Sequence, residues 1–189
     1  MNFNDVHIKI FQTRLQDACR IIDSELKPLN ETQLNWKPSS GSWSVAECIE
    51  HLLLAFEGYL VGLDKIIAVG KKENVVAKSP MRISLAGRMM IFAVNPSIKV
   101  PIPAPPKFKP QKSKKYNHEV LHDFYKNLQQ LSAQLEAAKN LDWNSLKITS
   151  PVTSLLKLNM GDTFEVLTLH ALRHLKQAQR VILHEKFPK

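Results

Sequence analysis

The sequence predicts an all-α protein, a four-helix bundle whose helices run up, down, down and up. Four stretches place apolar residues at the 3.6-residue period of an amphipathic helix. The connection between the second and third stretches, about residues 70–117, is too long for a hairpin, so helices two and three can run parallel. We expect this long central crossover to carry a short extra helix.

The first two helices are defined by their stripes and their end signals. The first covers Asp5–Leu26. The second begins after Ser44, because Ser44 and Glu47 have the spacing of a capping box, and it should end at Gly70. Trp43 directly precedes this cap, which predicts that its ring packs on Cys48 as a hydrophobic staple.

The remaining helices follow the same logic. The third covers His118–Lys139 and the fourth Asp162–His184. Within the crossover, Ile83–Val94 is apolar almost all round but is too short to span a bilayer. It predicts a short buried helix at one end of the bundle or a dimer surface. Pro96–Pro110 holds six prolines, which predicts an extended, non-helical segment.

Length and composition bound the class of protein. With 189 residues, 44% of them hydrophobic, the chain can form one domain over residues 1–189, with residues 71–116 as a basic, proline-rich crossover. We expect no membrane span, and Met1–Asp5 lacks the pattern of a secretory signal. Cys19 and Cys48 form no disulfide framework. These features favour a cytoplasmic protein.

The formal charge of +9 raises the question of nucleic-acid binding. Between Lys71 and Lys115 there are 11 basic residues and one acid, Glu73, so this segment carries +10 and the rest of the chain −1. The excess therefore belongs to one connecting region and not to a helix face that could enter a groove. We expect a solvated basic loop and no nucleic-acid partner; the alternative is a segment that attracts an anionic substrate or cofactor.

Three histidines are the main candidates for chemistry. His170 and His174 are four residues apart, so both imidazoles project from one helical face and can reach one point. With His51 from the second helix they would supply three ligands and leave a fourth position open, as in catalytic zinc sites. The alternative is that they are buried core or capping histidines. His51 lies in a row of small residues that should leave space around its ring: Ser44, Cys48, His51, Ala55, Gly58 and Gly62.

A second histidine pair has the same spacing. His118 and His122 begin the third helix, but their row continues with polar residues, so we expect both side chains to be solvated. His7 and His184 lie near the ends of their helices and should be at the surface.

Three segments together resemble the DinB/YfiT-like superfamily. They are the tryptophan-serine helix start with a histidine seven residues after the serine (Trp43–Leu52), the proline-rich segment Pro105–Pro110, and the late H-x-x-x-H of His170–His174. The resemblance covers essentially the whole chain, including the helical bundle with its long crossover. It implies that His51 and the late pair bind a divalent metal, with nickel or zinc as the usual candidates. Some relatives are thiol-dependent transferases or isomerases, and others are described as metal-dependent hydrolases.

The leading hypothesis is a metalloenzyme that acts on a small molecule by thiol transfer or hydrolysis, with a low-molecular-weight thiol as a further cofactor. Glu47 lies one turn before His51 and is a candidate base, although its capping-box role competes with this. Lys107 and Lys109 could attract an anionic thiol or substrate. The alternative is a non-catalytic metal-binding or stress-response module that forms a homodimer through Ile83–Val94.

Overall fold

The computed structural model describes residues 3–98, 102–111 and 113–189. The protein is mostly helical with one small antiparallel sheet, so the all-α prediction holds in its main feature. The helices are α1 (Asp5–Ile21, extended by a π-helical turn Ile22–Leu26), α2 (Glu31–Asn35), α3 (Val45–Lys72), α4 (Leu85–Val94), α5 (Glu119–Ala137) and α6 (Met160–Ile182). A 3-10 turn covers Pro106–Phe108, and the strands are β1 (Lys147–Thr149) and β2 (Lys157–Asn159).

The long helices enclose one apolar core. Helix α1 packs on α5 and α6, and α3 packs on the same two helices. Arg14 in the middle of α1 forms an ion pair with Glu165, in the second turn of α6, at 2.9 Å. Glu25, just beyond α1, accepts a 2.8 Å hydrogen bond from Gln179 near the end of α6. The two contacts therefore follow one another in the same order along α1 and α6.

The end of α3 differs from the prediction. The helix continues through Gly70 and ends at Lys72. Gly70 is buried, and a Cβ atom placed on it would lie 2.7 Å from Leu146 Cδ1 and 3.1 Å from Leu141 Cδ1. Its role is to admit the segment that follows α5, because a larger residue would overlap with these leucines.

The two-stranded sheet was not predicted, and it changes the interpretation of the small-residue row on α3. A Cβ atom at Gly58 would lie 2.8 Å from Pro151, and one at Gly62 would lie 2.8 Å from Ile148. The hairpin thus packs directly on this part of α3. The expectation that the row leaves open space is wrong for these two glycines.

Helix α4 covers α6 but is not fully buried. Its N-cap residue Ser84 donates through both its backbone N–H (3.0 Å) and its hydroxyl to the carboxylate of Asp162 in the first turn of α6. The opposite face leaves Leu85, Met89 and Phe92 more than half exposed. The prediction of a buried helix is therefore wrong for this outer face. Within the described ranges, no helix has the length and apolar character needed to cross a membrane.

Candidate metal centre

Two capping boxes position the helices that carry the three histidines. Ser44 caps α3, and its hydroxyl accepts from Glu47 N (3.1 Å) while the Glu47 carboxylate accepts from Ser44 N (3.0 Å). Asn159 and Asp162 form the same reciprocal pair at the start of α6. Because both helix starts are fixed, the positions of His51, about two turns into α3, and of the α6 histidines further along are fixed with them.

The structure brings His51, His170 and His174 together. One ring nitrogen from each lies within 4.8 Å of the others. The Nε2 atoms of His51 and His170 are 3.1 Å apart, and the His51 and His174 ring centroids are 4.4 Å apart. His51 and His174 are buried and His170 is half-buried. The grouping predicted from spacing is therefore present.

Oxygen acceptors outside the cluster orient two of the rings. The Nδ1 of His51 donates to the carbonyl oxygen of Phe108 at 2.8 Å, because a carbonyl oxygen can only accept. The Nδ1 of His174 donates to Gln177 Oε1 at 3.0 Å. Both rings then carry their hydrogen on Nδ1 and present an Nε2 lone pair. Metal-binding histidines almost always have such an outer hydrogen bond.

Burial keeps the cluster uncharged. It lowers the pKa of His51 below its ordinary value, against the opposing effect of the Phe108 carbonyl. Burial, then the charges of His51 and Arg173, lower the pKa of His170 to about 3. Burial also holds the pKa of His174 well below its usual range, helped by His170 and His51. All three imidazoles are thus neutral near pH 7, which is the form that binds metals.

The cluster fits a divalent metal. Zinc–imidazole bonds are about 2.0–2.1 Å long, so two nitrogens on one tetrahedral ion lie about 3.4 Å apart. The 3.1 Å separation of His51 and His170 is close to this value. The widest separation, 4.8 Å, would have to shorten by about 1.4 Å. Three neutral nitrogen donors suit zinc, nickel, copper and iron.

Trp43 forms one wall of the site. Its ring centroid lies 5.0 Å from that of His51 and 5.7 Å from that of His174. The staple was predicted on Cys48, and the structure places the Trp43 ring beside His51, two turns into α3. An apolar wall beside the imidazoles excludes water from one side of the cluster and contributes to the burial that lowers their pKa values.

The cluster opens into a cavity of about 1030 Å³ between α3, α4, α6 and the crossover. Arg173, Gln177 and Arg180 line it from α6, and Lys109 lines it from the crossover. The Arg173 guanidinium donates to the carbonyl oxygens of Asn95 and Ile98, both at 2.9 Å, and so ties the crossover to α6.

The other predicted site residues lie elsewhere or have other partners. The Glu47 carboxylate accepts from Ser44 N and also pairs with Lys37, so the capping role is confirmed and both oxygens are engaged. Lys107 places its ammonium 5.0 Å from the Phe108 ring centroid and does not line the cavity, whereas Lys109 does.

The second histidine pair stays apart from this cluster. His118 is exposed and donates to the carbonyl oxygen of Leu29 at 2.7 Å, and His122 is exposed near Asp123. His7 is half-buried, with its ring 6.2 Å from that of Phe11. His184 is half-buried against Trp36, at 5.4 Å between ring centroids, rather than fully at the surface.

Sequence reasoning missed several residues that complete the site. Gln177 could have been found, because it follows His174 by three residues and therefore lies on the same face of α6. Arg180 continues that face by one further turn. No sequence signal connects the Phe108 carbonyl with His51, since they are 57 residues apart.

Comparison with known families agrees with this geometry. The profile of the DinB superfamily matches residues 14–178, which include all three clustered histidines. The chain belongs to the DinB superfamily. No curated protein and no solved structure gave a significant match. The resemblance inferred from the sequence motifs is therefore confirmed at the level of the superfamily.

Proposed function

We propose that this DinB superfamily protein is a metalloenzyme in which His51, His170 and His174 bind one divalent ion, zinc or nickel. The observation that carries the proposal is the convergence of three neutral imidazoles, two of them oriented by outer hydrogen bonds to Phe108 and Gln177. A divalent cation is a partner that all three imidazole nitrogens can share at one point.

We further propose small-thiol transfer or hydrolysis on a small molecule as the reaction. A divalent ion lowers the pKa of a thiol or water that binds it and so provides a nucleophile at neutral pH. The chain's own contribution is to hold the imidazoles neutral, to exclude water with Trp43, and to orient the site through Phe108 and Gln177. Glu47 is not assigned as a base, because both its oxygens have partners.

The four long helices are proposed to form an up-down-down-up bundle. The contacts of Arg14 with Glu165 and of Glu25 with Gln179 follow the same order along α1 and α6, which supports parallel directions for these two helices. The contact of Gly70, near the end of α3, with Leu141, just after α5, supports parallel directions for α3 and α5.

A second candidate is a non-catalytic module that dimerises through α4. The exposed stripe of Leu85, Met89 and Phe92 favours it, because a row of apolar side chains at the surface is typical of an interaction site. In this case, replacing the histidines would change the stability of the protein. The parent protein would have no metal-dependent activity for these substitutions to remove.

The metal content of untagged protein, purified without added metal or chelator, tests the first proposal. Elemental mass spectrometry should find close to one ion per chain in the parent protein and in His122→Ala, and a loss in His51→Ala and His174→Ala. The loaded protein is then assayed for metal-dependent consumption of thiol in the presence of electrophiles. A parent protein that neither contains nor takes up zinc or nickel would contradict the proposal.

A further inference from the structure

The 3-10 turn Pro106–Phe108 of the crossover packs against α3. Phe108 is only 7% exposed, although the residue on either side of it is exposed. Its backbone N–H donates to the Pro105 carbonyl oxygen at 2.9 Å, which closes the turn. Its own carbonyl oxygen accepts the buried hydrogen bond from His51 Nδ1 at 2.8 Å. Phe108 therefore attaches the crossover to α3 at a histidine of the cluster.

The same turn also forms part of the cavity beside the histidine cluster. Phe108 lines this cavity together with Pro105 and Lys109, which lie before and after it in the crossover. A shift of the turn would therefore change two things together. It would alter the hydrogen bond that orients the His51 ring, and it would alter the shape of the cavity wall.

The side chain of Phe108 has to supply the attachment, because a carbonyl group is common to every residue. A 3-10 turn of three residues has little stability of its own. A buried phenylalanine ring removes a large apolar area from water, and this burial keeps the turn in place. The Lys107 ammonium lies 5.0 Å from the ring centroid and adds a cation–π contact. The residue type at position 108 therefore decides how firmly the carbonyl oxygen is held against His51.

We infer that Phe108 is a positioning residue for the metal centre, whose buried ring keeps its carbonyl oxygen on His51 and so couples metal binding to docking of the crossover turn. Phe108 acts through His51 and is not itself a ligand. The inference rests on the proposed metal site, because the coupling requires an ion at the histidine cluster. It goes beyond that proposal by giving the crossover a role in metal affinity.

The coupling has a physical basis in the His51 ring. An ion on Nε2 withdraws electron density from the imidazole, so the Nδ1–H becomes a stronger donor to the Phe108 carbonyl oxygen. In the other direction, the hydrogen bond orients the ring and raises the basicity of Nε2. Because linkage is reciprocal, metal strengthens docking of the turn by the same factor by which docking strengthens metal binding. Metal loading therefore also fixes this part of the cavity wall.

The zinc affinity of two variants tests the role of the Phe108 ring. Phe108→Ala should weaken zinc binding at least about ten-fold, and Phe108→Leu, which keeps a buried apolar side chain, should stay within about three-fold of the parent. Tyr116→Ala is the matched control, because Tyr116 is another buried aromatic residue of the crossover and its backbone bonds to Asn35. A competitive titration with a chromophoric chelator measures the affinities. Equal weakening in Phe108→Ala and Tyr116→Ala would overturn the inference, because general destabilisation would then explain both.

Cleavage of the parent protein by trypsin tests the reciprocal effect without any substitution. Two matched bonds, after Lys107 and after Lys115, each join an exposed lysine to a buried aromatic residue of the crossover. Both backbone polar groups of Tyr116, which follows Lys115, bond to Asn35, so this bond reports on a part of the crossover attached elsewhere. Zinc should slow cleavage after Lys107 about five-fold more than cleavage after Lys115, because the metal closes local opening of the turn. Equal slowing at the two bonds would overturn the inference, even if Phe108→Ala fails to fold.

The failure of this inference is distinguishable from the failure of the metal site. A parent protein that takes up one zinc ion, but whose affinity is unchanged in Phe108→Ala, would overturn the coupling and leave the metal site supported. A parent protein that takes up no zinc would overturn the metal site and the coupling with it.

Discussion

Two histidine pairs in this chain have the same spacing and different surroundings. His170 and His174 lie on α6, where His51 joins them, and burial lowers the pKa of all three. His118 and His122 lie at the start of α5, exposed, with no third described histidine close enough to form a ligand group. The difference teaches that an H-x-x-x-H spacing provides two ligands on one face, and that packing decides whether a site results.

The largest expected difference between the pairs concerns stabilisation by metal. Zinc at about 1000 times its dissociation constant should raise the free energy of unfolding of the parent protein by about 4 kcal/mol. The same addition should stabilise His122→Ala equally and His174→Ala far less. Thermal unfolding with and without zinc measures this. Equal stabilisation of His174→Ala and the parent would place the bound ion elsewhere.

The next effect is the pH dependence of the metal-free protein. His170 stays neutral in the folded state down to a pKa of about 3, whereas the unfolded chain takes up a proton near pH 6.5. Stability is therefore fully present above pH 6.5 and is lost as the pH falls toward 3. At pH 5 this single group should lower the free energy of unfolding by about 2 kcal/mol relative to pH 7.

Denaturant unfolding at pH 7 and pH 5 measures this loss. His170→Gln should reduce the difference between the two pH values, because it removes the group that is protonated only in the unfolded state. His122→Gln is the matched control variant at an exposed position. A His170→Gln variant with the parent's pH dependence would contradict the burial argument.

A smaller effect is expected from the outer hydrogen bond of His174. Gln177→Ala removes the acceptor for His174 Nδ1 and should weaken zinc affinity about ten-fold, since such orienting partners are typically worth 10–100-fold. Gln179→Ala is the control, because Gln179 bonds to Glu25 at the surface. A competitive zinc titration with a chromophoric chelator measures the ratio. Equal affinities in the two variants would show that Gln177 does not orient the ring.

The smallest effect belongs to the exposed pair. His118→Ala removes one hydrogen bond to the Leu29 carbonyl and should lower the free energy of unfolding by about 0.5–1.5 kcal/mol. Its zinc stoichiometry should equal that of the parent. Loss of metal in this variant would show that the exposed pair also takes part in metal binding, which would contradict the distinction between the two pairs.

Much of the helical fold was predictable because helix signals are local. The spacing of Ser44 and Glu47 predicts the capping box, and the apolar stripes predict all four long helices to within a few residues. The β1–β2 hairpin was missed because three-residue strands carry too little pattern to recognise. The predicted helix end at Gly70 is wrong, because the sequence does not distinguish a glycine that packing requires inside a helix from a glycine that terminates one.

The sequence by itself determined which residues could take part in the site. A spacing of four places His170 and His174 on one face, because the helical repeat is set by the backbone. Only the tertiary structure decided that His51 meets them and that the Phe108 carbonyl and Gln177 orient the rings. The contacts of His51 with His170 and Phe108 join residues 119 and 57 positions apart. They depend on how α3, α6 and the crossover pack, because no local periodicity relates positions so far apart.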